Sequence, residues 1–101
     1  MSVLAKRLKE ARLKAGLSQA RLGVLAGIDE ASASARMNQY ERGKHLPDWL
    51  TVQNIASVLK LPVAYFYAED DAEAELLLVF NALPIEAREE AVKSLRRKIH
   101  R

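Results

Sequence analysis

Ser18-Gln19-Ala20-Arg21-Leu22-Gly23-Val24-Leu25-Ala26-Gly27-Ile28 and, after Asp29-Glu30-Ala31-Ser32-Ala33-Ser34-Ala35-Arg36, the run Met37-Asn38-Gln39-Tyr40-Glu41-Arg42-Gly43 form the stretch that decides the fold. Ser18 is a good N-cap for a short helix whose apolar stripe is Leu22, Leu25 and Ala26 and whose stop is Gly27. Asp29 can cap a second helix that runs to Arg42 and stops at Gly43. Two short helices that cross tightly need a small residue where they touch and a glycine in the turn between them. Gly23 and Gly27 fit those two places, with Leu22, Ala26 and Ile28 as apolar neighbours.

The second helix of such a pair should bury two residues three apart. With the usual short turn these would be Ala33 and Arg36, and burying Arg36 is costly. A shift of about one helical turn gives Met37 and Tyr40 instead, which are suitable. The sequence therefore implies one inserted turn between Gly27 and Met37. The insertion either extends the second helix at its N-terminus or lengthens the loop, and the helix-compatible run Asp29 to Ala35 favours the longer helix.

Outside this pair the helical pattern continues. Val3, Leu4, Leu8, Ala11, Leu13 and Ala15 recur at roughly helical spacing, with Lys6, Arg7, Lys9, Glu10, Arg12 and Lys14 as the polar residues between them. Ser2 caps this first helix and Gly16 ends it. Lys44-His45-Leu46-Pro47 reads as a loop. Asp48 then caps a fourth helix with Leu50, Val52, Ile55, Ala56 and Leu59. Pro62 suits the first turn of a fifth, Val63 to Tyr67. Glu69-Asp70-Asp71 is either a polar linker or the acidic start of a sixth helix with Leu76, Leu77, Val79, Phe80 and Leu83. Pro84 opens a seventh, with Ile85, Ala91, Val92, Leu95 and Ile99.

Composition agrees with an all-α chain: Ala, Leu, Glu, Lys and Arg dominate, and half of the 101 residues are hydrophobic. There is no cysteine, which excludes disulfides and thiolate metal sites. The charged start is no signal peptide, and Leu76 to Phe80 is far too short to span a bilayer, so a soluble cytoplasmic protein is the expectation. The net charge of +3 is unevenly spread: residues 1–60 hold ten Lys/Arg against five Asp/Glu, residues 61–90 one against eight, and residues 91–101 five against none. A basic first half suggests a polyanionic partner, although charge alone also fits a solvated surface. Enzyme chemistry is disfavoured. His45 and His100 are far apart, no Gly-rich phosphate loop or metal signature is present, and the carboxylates from Glu69 to Glu75 read as a solvated helix start.

The ordered set Gly16-Leu17-Ser18-Gln19, Leu22, Gly27, Met37 to Gly43, Pro47, Ile55-Ala56, Leu59 and Pro62 to Tyr67 resembles the phage repressor and Cro family of helix-turn-helix proteins, the lambda-repressor-like or Xre type. The resemblance covers residues 3–68. It implies an all-α, five-helix DNA-binding domain over 1–68, with residues 69–101 as a C-terminal two-helix extension. Two features depart from the family: the inserted turn, and Gly23 where alanine is usual. The glycine is expected to cost about 1 kcal/mol of helix stability relative to alanine.

The resemblance also implies a partner and a site. Double-stranded DNA is the expected partner, bound by a homodimer on a pseudo-palindromic operator, with no cofactor, metal, membrane or small-molecule ligand. Ser34, Ala35, Arg36, Asn38 and Gln39 are the expected base contacts: amide side chains pair with adenine, Ala touches a thymine methyl, and Arg36 reads guanine or holds a phosphate. Ser32 depends on how the inserted turn is arranged. Ser18, Gln19, Arg42 and Lys44 are the expected phosphate contacts, Arg42 also fitting a plain end-of-helix charge and His45 a plain loop residue. Arg12 and Glu41 match a family ion pair that fixes the recognition helix without touching DNA. Trp49, Tyr65, Phe66 and Tyr67 fit core packing or a dimer contact better than a ligand pocket. A protein-interaction module, antitoxin-like or an adaptor, is the competing reading of the same fold. Helices six and seven carry more apolar surface than one hairpin can bury, so they either cover the core or pair across a dimer, with dimerisation favoured.

Overall fold

The computed structural model describes residues 2–99; His100 lies outside them. Six α-helices and one short 3-10 helix follow in order: α1 (Val3–Lys14), α2 (Gln19–Leu25), α3 (Glu30–Glu41), α4 (Trp49–Leu59), the 3-10 helix Val63–Tyr67, α5 (Asp71–Ala82) and α6 (Ile85–Arg97). Among the described residues there is no strand, and no helix is long and apolar enough to cross a membrane.

The helix starts follow from side-chain capping. Ser2, Ser18 and Asp48 accept hydrogen bonds from the backbone N–H groups of Ala5, Arg21 and Thr51, at 3.2, 3.0 and 2.8 Å. Asp29 and Asp70 cap α3 and α5 by accepting from Ala31 and Ala72. Gly27 ends α2 at φ +92, a left-handed conformation that a side chain would resist. Its N–H and that of Ile28 then return to the carbonyls of Val24 and Gly23, closing the turn in only a few residues. The inserted turn therefore belongs to the recognition helix and not to the loop, since α3 begins directly after its Asp29 cap.

The core lies between α1, α2, α3, α4 and the 3-10 helix. Leu8, Leu22, Met37, Val52, Ile55 and Phe66 are its largest fully buried side chains. Phe66 meets Tyr65 edge to face, with ring centroids 5.2 Å apart. The aromatic set divides here: Tyr65 and Phe66 are core, whereas Trp49 and Tyr67 are exposed and contribute nothing to it.

Arg7 corrects the reading of α1. It does not belong to the polar face but is buried, only 2% exposed. Its Nε donates to the carbonyl of Ala68 (2.9 Å), Nη2 to that of Glu69 (3.3 Å) and Nη1 to Asp71 Oδ1 (2.9 Å). The guanidinium also lies 5.9 Å from the Tyr65 ring centroid. One buried cation thus ties α1 to the segment that leads into α5. Together with Lys6, which donates to the same Oδ1 at 3.2 Å, it holds the Asp71 carboxyl below the usual carboxylate range.

The two C-terminal helices differ from each other. The first half of α5 docks on the core through buried Ala74 and partly buried Leu77 and Leu78. No residue of α6 is buried. Arg88 fixes the elbow between them, donating to the carbonyls of Asn81 (3.0 Å) and Leu83 (3.3 Å) and lying over the Phe80 ring. The result is an elongated molecule of 55 × 27 × 22 Å, in which α6 projects away from the core.

Candidate nucleic-acid interface

Close approach of α2 and α3 begins at Gly23. A Cβ placed there would stand 2.8 Å from Ala33 Cβ, 3.1 Å from the Ala33 carbonyl oxygen and 3.1 Å from Met37 Cγ. The inserted turn brings Ala33 onto α2, and only a hydrogen at position 23 leaves room for it. Buried Ala33, Met37 and Tyr40 form the inward face of α3. The two departures from the family pattern are thus one feature, and the expected cost of Gly23 is corrected: the loss in helix propensity is the condition for the contact, and alanine would clash.

A buried polar network then fixes α3 against α1 and α2. Arg12 Nε donates to Glu41 Oε2 at 2.6 Å and its Nη2 to Oε1 at 3.0 Å, while Nη1 donates to the Leu17 carbonyl at 2.9 Å. This is a two-pronged pair, the arrangement for which guanidinium and carboxylate are matched. The bond to Glu41 raises the Arg12 pKa further in spite of burial, so the cation persists at every working pH. Gln19 joins the network from α2, its Nε2 donating to Glu41 Oε1 (3.2 Å) and to Asn38 Oδ1 (3.3 Å). Among the described residues every buried side-chain nitrogen or oxygen has a partner.

With its inward face locked, α3 presents the remainder to solvent. Ala31, Ala35, Gln39 and Arg42 are exposed, and the 3.6-residue repeat puts them near the centre of the outward face. Ser34 and Asn38 flank it on the Gln19 side. Asn38 is half-buried and its Oδ1 is engaged by Gln19, which leaves its NH2 group as the free donor. Arg36 is exposed on the opposite flank, close enough to the start of α4 to help lower the Asp48 carboxyl, although the bonds from Thr51 dominate that shift. Ser32 turns back, its hydroxyl directed to the Asp29 carbonyl at 3.4 Å.

The expected phosphate contacts divide similarly. Arg42 and Lys44 are exposed where α3 ends, with His45 beside them. Ser18 is exposed, and its oxygen accepts from Arg21 while the hydroxyl hydrogen stays free. Gln19 turns its side-chain amide nitrogen inward, where it donates to Asn38 Oδ1 and Glu41 Oε1. Its structural work is to tie α2 to α3. Sequence reasoning missed two residues. Ala31 enters the outward face because the added turn is helical. Arg21, the one charged residue of α2, is exposed near that helix's start.

A short α2 braced against a longer α3 whose far side carries amides, methyl groups and cations defines a helix-turn-helix DNA-binding protein. Residues 3–65 match the family described as helix-turn-helix domain, and the chain belongs to that family, as an Xre-like member. Among solved structures it is similar to the crystal structure of transcriptional regulator BswR, at 46% identity and a TM-score of 0.86, over 96% of this chain and 94% of that one. That likeness extends through α5 and α6, beyond the segment that the family covers. No curated protein matches the chain.

Proposed function

We propose that the protein is a sequence-specific transcriptional regulator that acts as a homodimer, represses by occupying a pseudo-palindromic operator, and reads it through the outward face of α3. The observation that carries this is the pairing of a locked inner face with an outer face built for groove contact. Gln39 is exposed with both amide atoms free, the arrangement that pairs bidentately with adenine. Asn38 offers its NH2 group beside it, Ala31 and Ala35 offer methyl groups to thymine, and Ser34 lines the edge. Arg42, Lys44 and Ser18 lie where the sugar-phosphate backbone would pass, with Arg36 on the α4 side of the groove. Two copies would set their α3 helices about 34 Å apart, one turn of B-DNA.

The similarity to BswR, a transcriptional regulator, supports this reading for the chain. So does the excess of ten Lys/Arg over five Asp/Glu in residues 1–60. The test is the affinity for random-sequence duplex DNA as a function of salt, measured by fluorescence anisotropy. Arg36, Arg42 and Lys44, if each neutralises one phosphate, predict that log K falls with log salt at a slope of about −2.7 per protomer, by the counterion-release rule of about −0.9 per phosphate neutralised, and Arg21 would steepen it to about −3.6. No binding even at low salt would instead favour a module that binds only protein.

A further inference from the structure

We infer that the cleft between α1 and α5, over the hydroxyl of Tyr65, binds a zwitterionic small molecule with an apolar tail, of the α-amino acid class. The cleft is separate from the outward face of α3. Its polar end encloses about 270 Å³ between Glu10 of α1 and Glu75 of α5. An apolar recess of about 170 Å³ adjoins it, lined by Ala11, Ala15, Leu59 and Leu61. Lys14, Tyr65 and Leu78 border both spaces, so the two are ends of one cleft. Together they reach the lower part of the size range of small-molecule sites, about 300–1,000 Å³.

Tyr65 supplies the polar floor. Only 5% of the residue is exposed, and its ring meets Phe66 edge to face and the Arg7 guanidinium. Its hydroxyl, however, has no hydrogen-bond partner among the described residues. Every fully enclosed side-chain oxygen among those residues does have one, so the hydroxyl is the part of Tyr65 that opens into the cleft. A polar group left over in so covered a residue is one that a ligand can satisfy. Burial and the carboxylates of Glu10 and Glu75 push its pKa up, against the influence of Arg7, and the hydroxyl stays a neutral donor.

Charge selects the ligand. Lys6 and Arg7 both bind Asp71, at 3.2 and 2.9 Å, which occupies those three groups with one another. Glu10 keeps only a 3.9 Å approach to Arg7, and Glu75 and Lys14 are in no ion pair among the described residues. Glu10 and Lys14 stand one helical turn apart, a spacing at which opposite charges can close on each other, yet this pair is open. A simple anion would face two carboxylates, and a simple cation would face Lys14. A zwitterion meets both signs. Its ammonium lies between Glu10 and Glu75, its carboxylate accepts from Lys14 and the Tyr65 hydroxyl, and its tail enters the recess beside Leu59 and Leu61. The lining comes from α1, the end of α4, the 3-10 helix and α5, so the sequence pointed to no small-molecule ligand.

The experiment titrates L-leucine into the full-length chain, without DNA, and follows NMR chemical shifts. One saturable site is expected, with a Kd of about 1 mM or tighter, and with the shifts centred on α1, Tyr65 and the first half of α5. Isoamylamine, which lacks the carboxylate, isocaproate, which lacks the ammonium, and glycine, which lacks the tail, are each expected to bind at least tenfold more weakly. Y65F keeps the ring in the core and removes only the hydroxyl, and E10Q/E75Q removes two charges from exposed positions. Each variant is expected to bind L-leucine at least tenfold more weakly, with its circular dichroism unchanged. Absence of L-leucine binding, an analogue that binds as tightly as L-leucine, or an E10Q/E75Q variant that binds as the wild type does would each overturn the inference. No DNA enters the titration, so a failure here leaves the DNA-reading role standing.

Discussion

Two helix pairs meet different fates in this chain. The pair α2–α3 buries Leu22, Gly23, Ala33, Met37, Tyr40 and Glu41, whereas α5–α6 buries Ala74 alone. The cause lies in what stands at each crossing. Gly23 against Ala33 lets two backbones approach until one added methyl group would collide. Between α5 and α6 the facing residues are Leu76, Val79, Phe80 and Leu95, too large for a close crossing, and Arg88 props the elbow open. The first pair is complete within one chain. The second presents its apolar side outward. The proposed function makes use of the first pair, because a helix that reads bases must be held rigidly.

The severest way to break the closed pair is Glu41→Ala. It leaves Arg12 buried without its carboxylate and should cost about 3–5 kcal/mol, a large part of a small domain's stability. Urea unfolding measures it, and a loss under about 1 kcal/mol would mean that the pair is not what fixes α3. Next comes Gly23→Ala. Helix propensity alone predicts a gain of about 1 kcal/mol, but the 2.8 Å approach to Ala33 predicts a net loss of about 1–3 kcal/mol from overpacking. Adding Ala33→Gly should recover part of that loss, a coupling that a double-mutant cycle reads directly.

A smaller effect is expected at the hinge between the two regions. Arg7 and Lys6 lower the Asp71 carboxyl below its ordinary value, so the group stabilises the fold above the unfolded carboxylate range, and the contribution disappears as pH falls through the lowered value. Thermal unfolding of Asp71→Asn should therefore lie below wild type at neutral pH and converge with it in strong acid. A gap that persists at low pH would show that the ion pair is not its source. The smallest change in intrinsic stability belongs to the open pair. Leu95→Ala in dilute protein should shift unfolding by less than about 0.5 kcal/mol, as for an exposed site, while removing any dependence of the melting temperature on protein concentration.

Much of the closed region was legible because its signals are local. Ser2, Ser18, Asp29 and Asp48 each stand one step before a helix, and Gly27 stands where the chain must turn. The inserted turn was legible because burying Arg36 made the usual register unacceptable. Arg7 was not read as buried, since its partners at Ala68, Glu69 and Asp71 lie more than sixty residues away. A trace was present: Arg7 falls between Leu4 and Ala11 on the stripe that faces the core. The need for Gly23 was hidden for a related reason, because propensity describes one helix and the contact involves two. In the site, the outward position of Gln39 followed from the register, but the inward bonds of Gln19 and the half-buried state of Asn38 required three-dimensional packing. The splay of α5 and α6 had no local signal, because amphipathic stripes do not say which neighbour covers them.

Base reading by α3 is tested most directly by the ratio of affinities for a genome-selected operator and for random duplex at fixed salt, compared between wild type and Gln39→Ala. The variant is expected to lose about 5- to 150-fold of that ratio, the worth of one bidentate base contact of about 1–3 kcal/mol, while its affinity for random duplex is unchanged. An unaltered ratio, or an equal loss on both DNAs, would contradict the claim that the outward face of α3 reads the sequence.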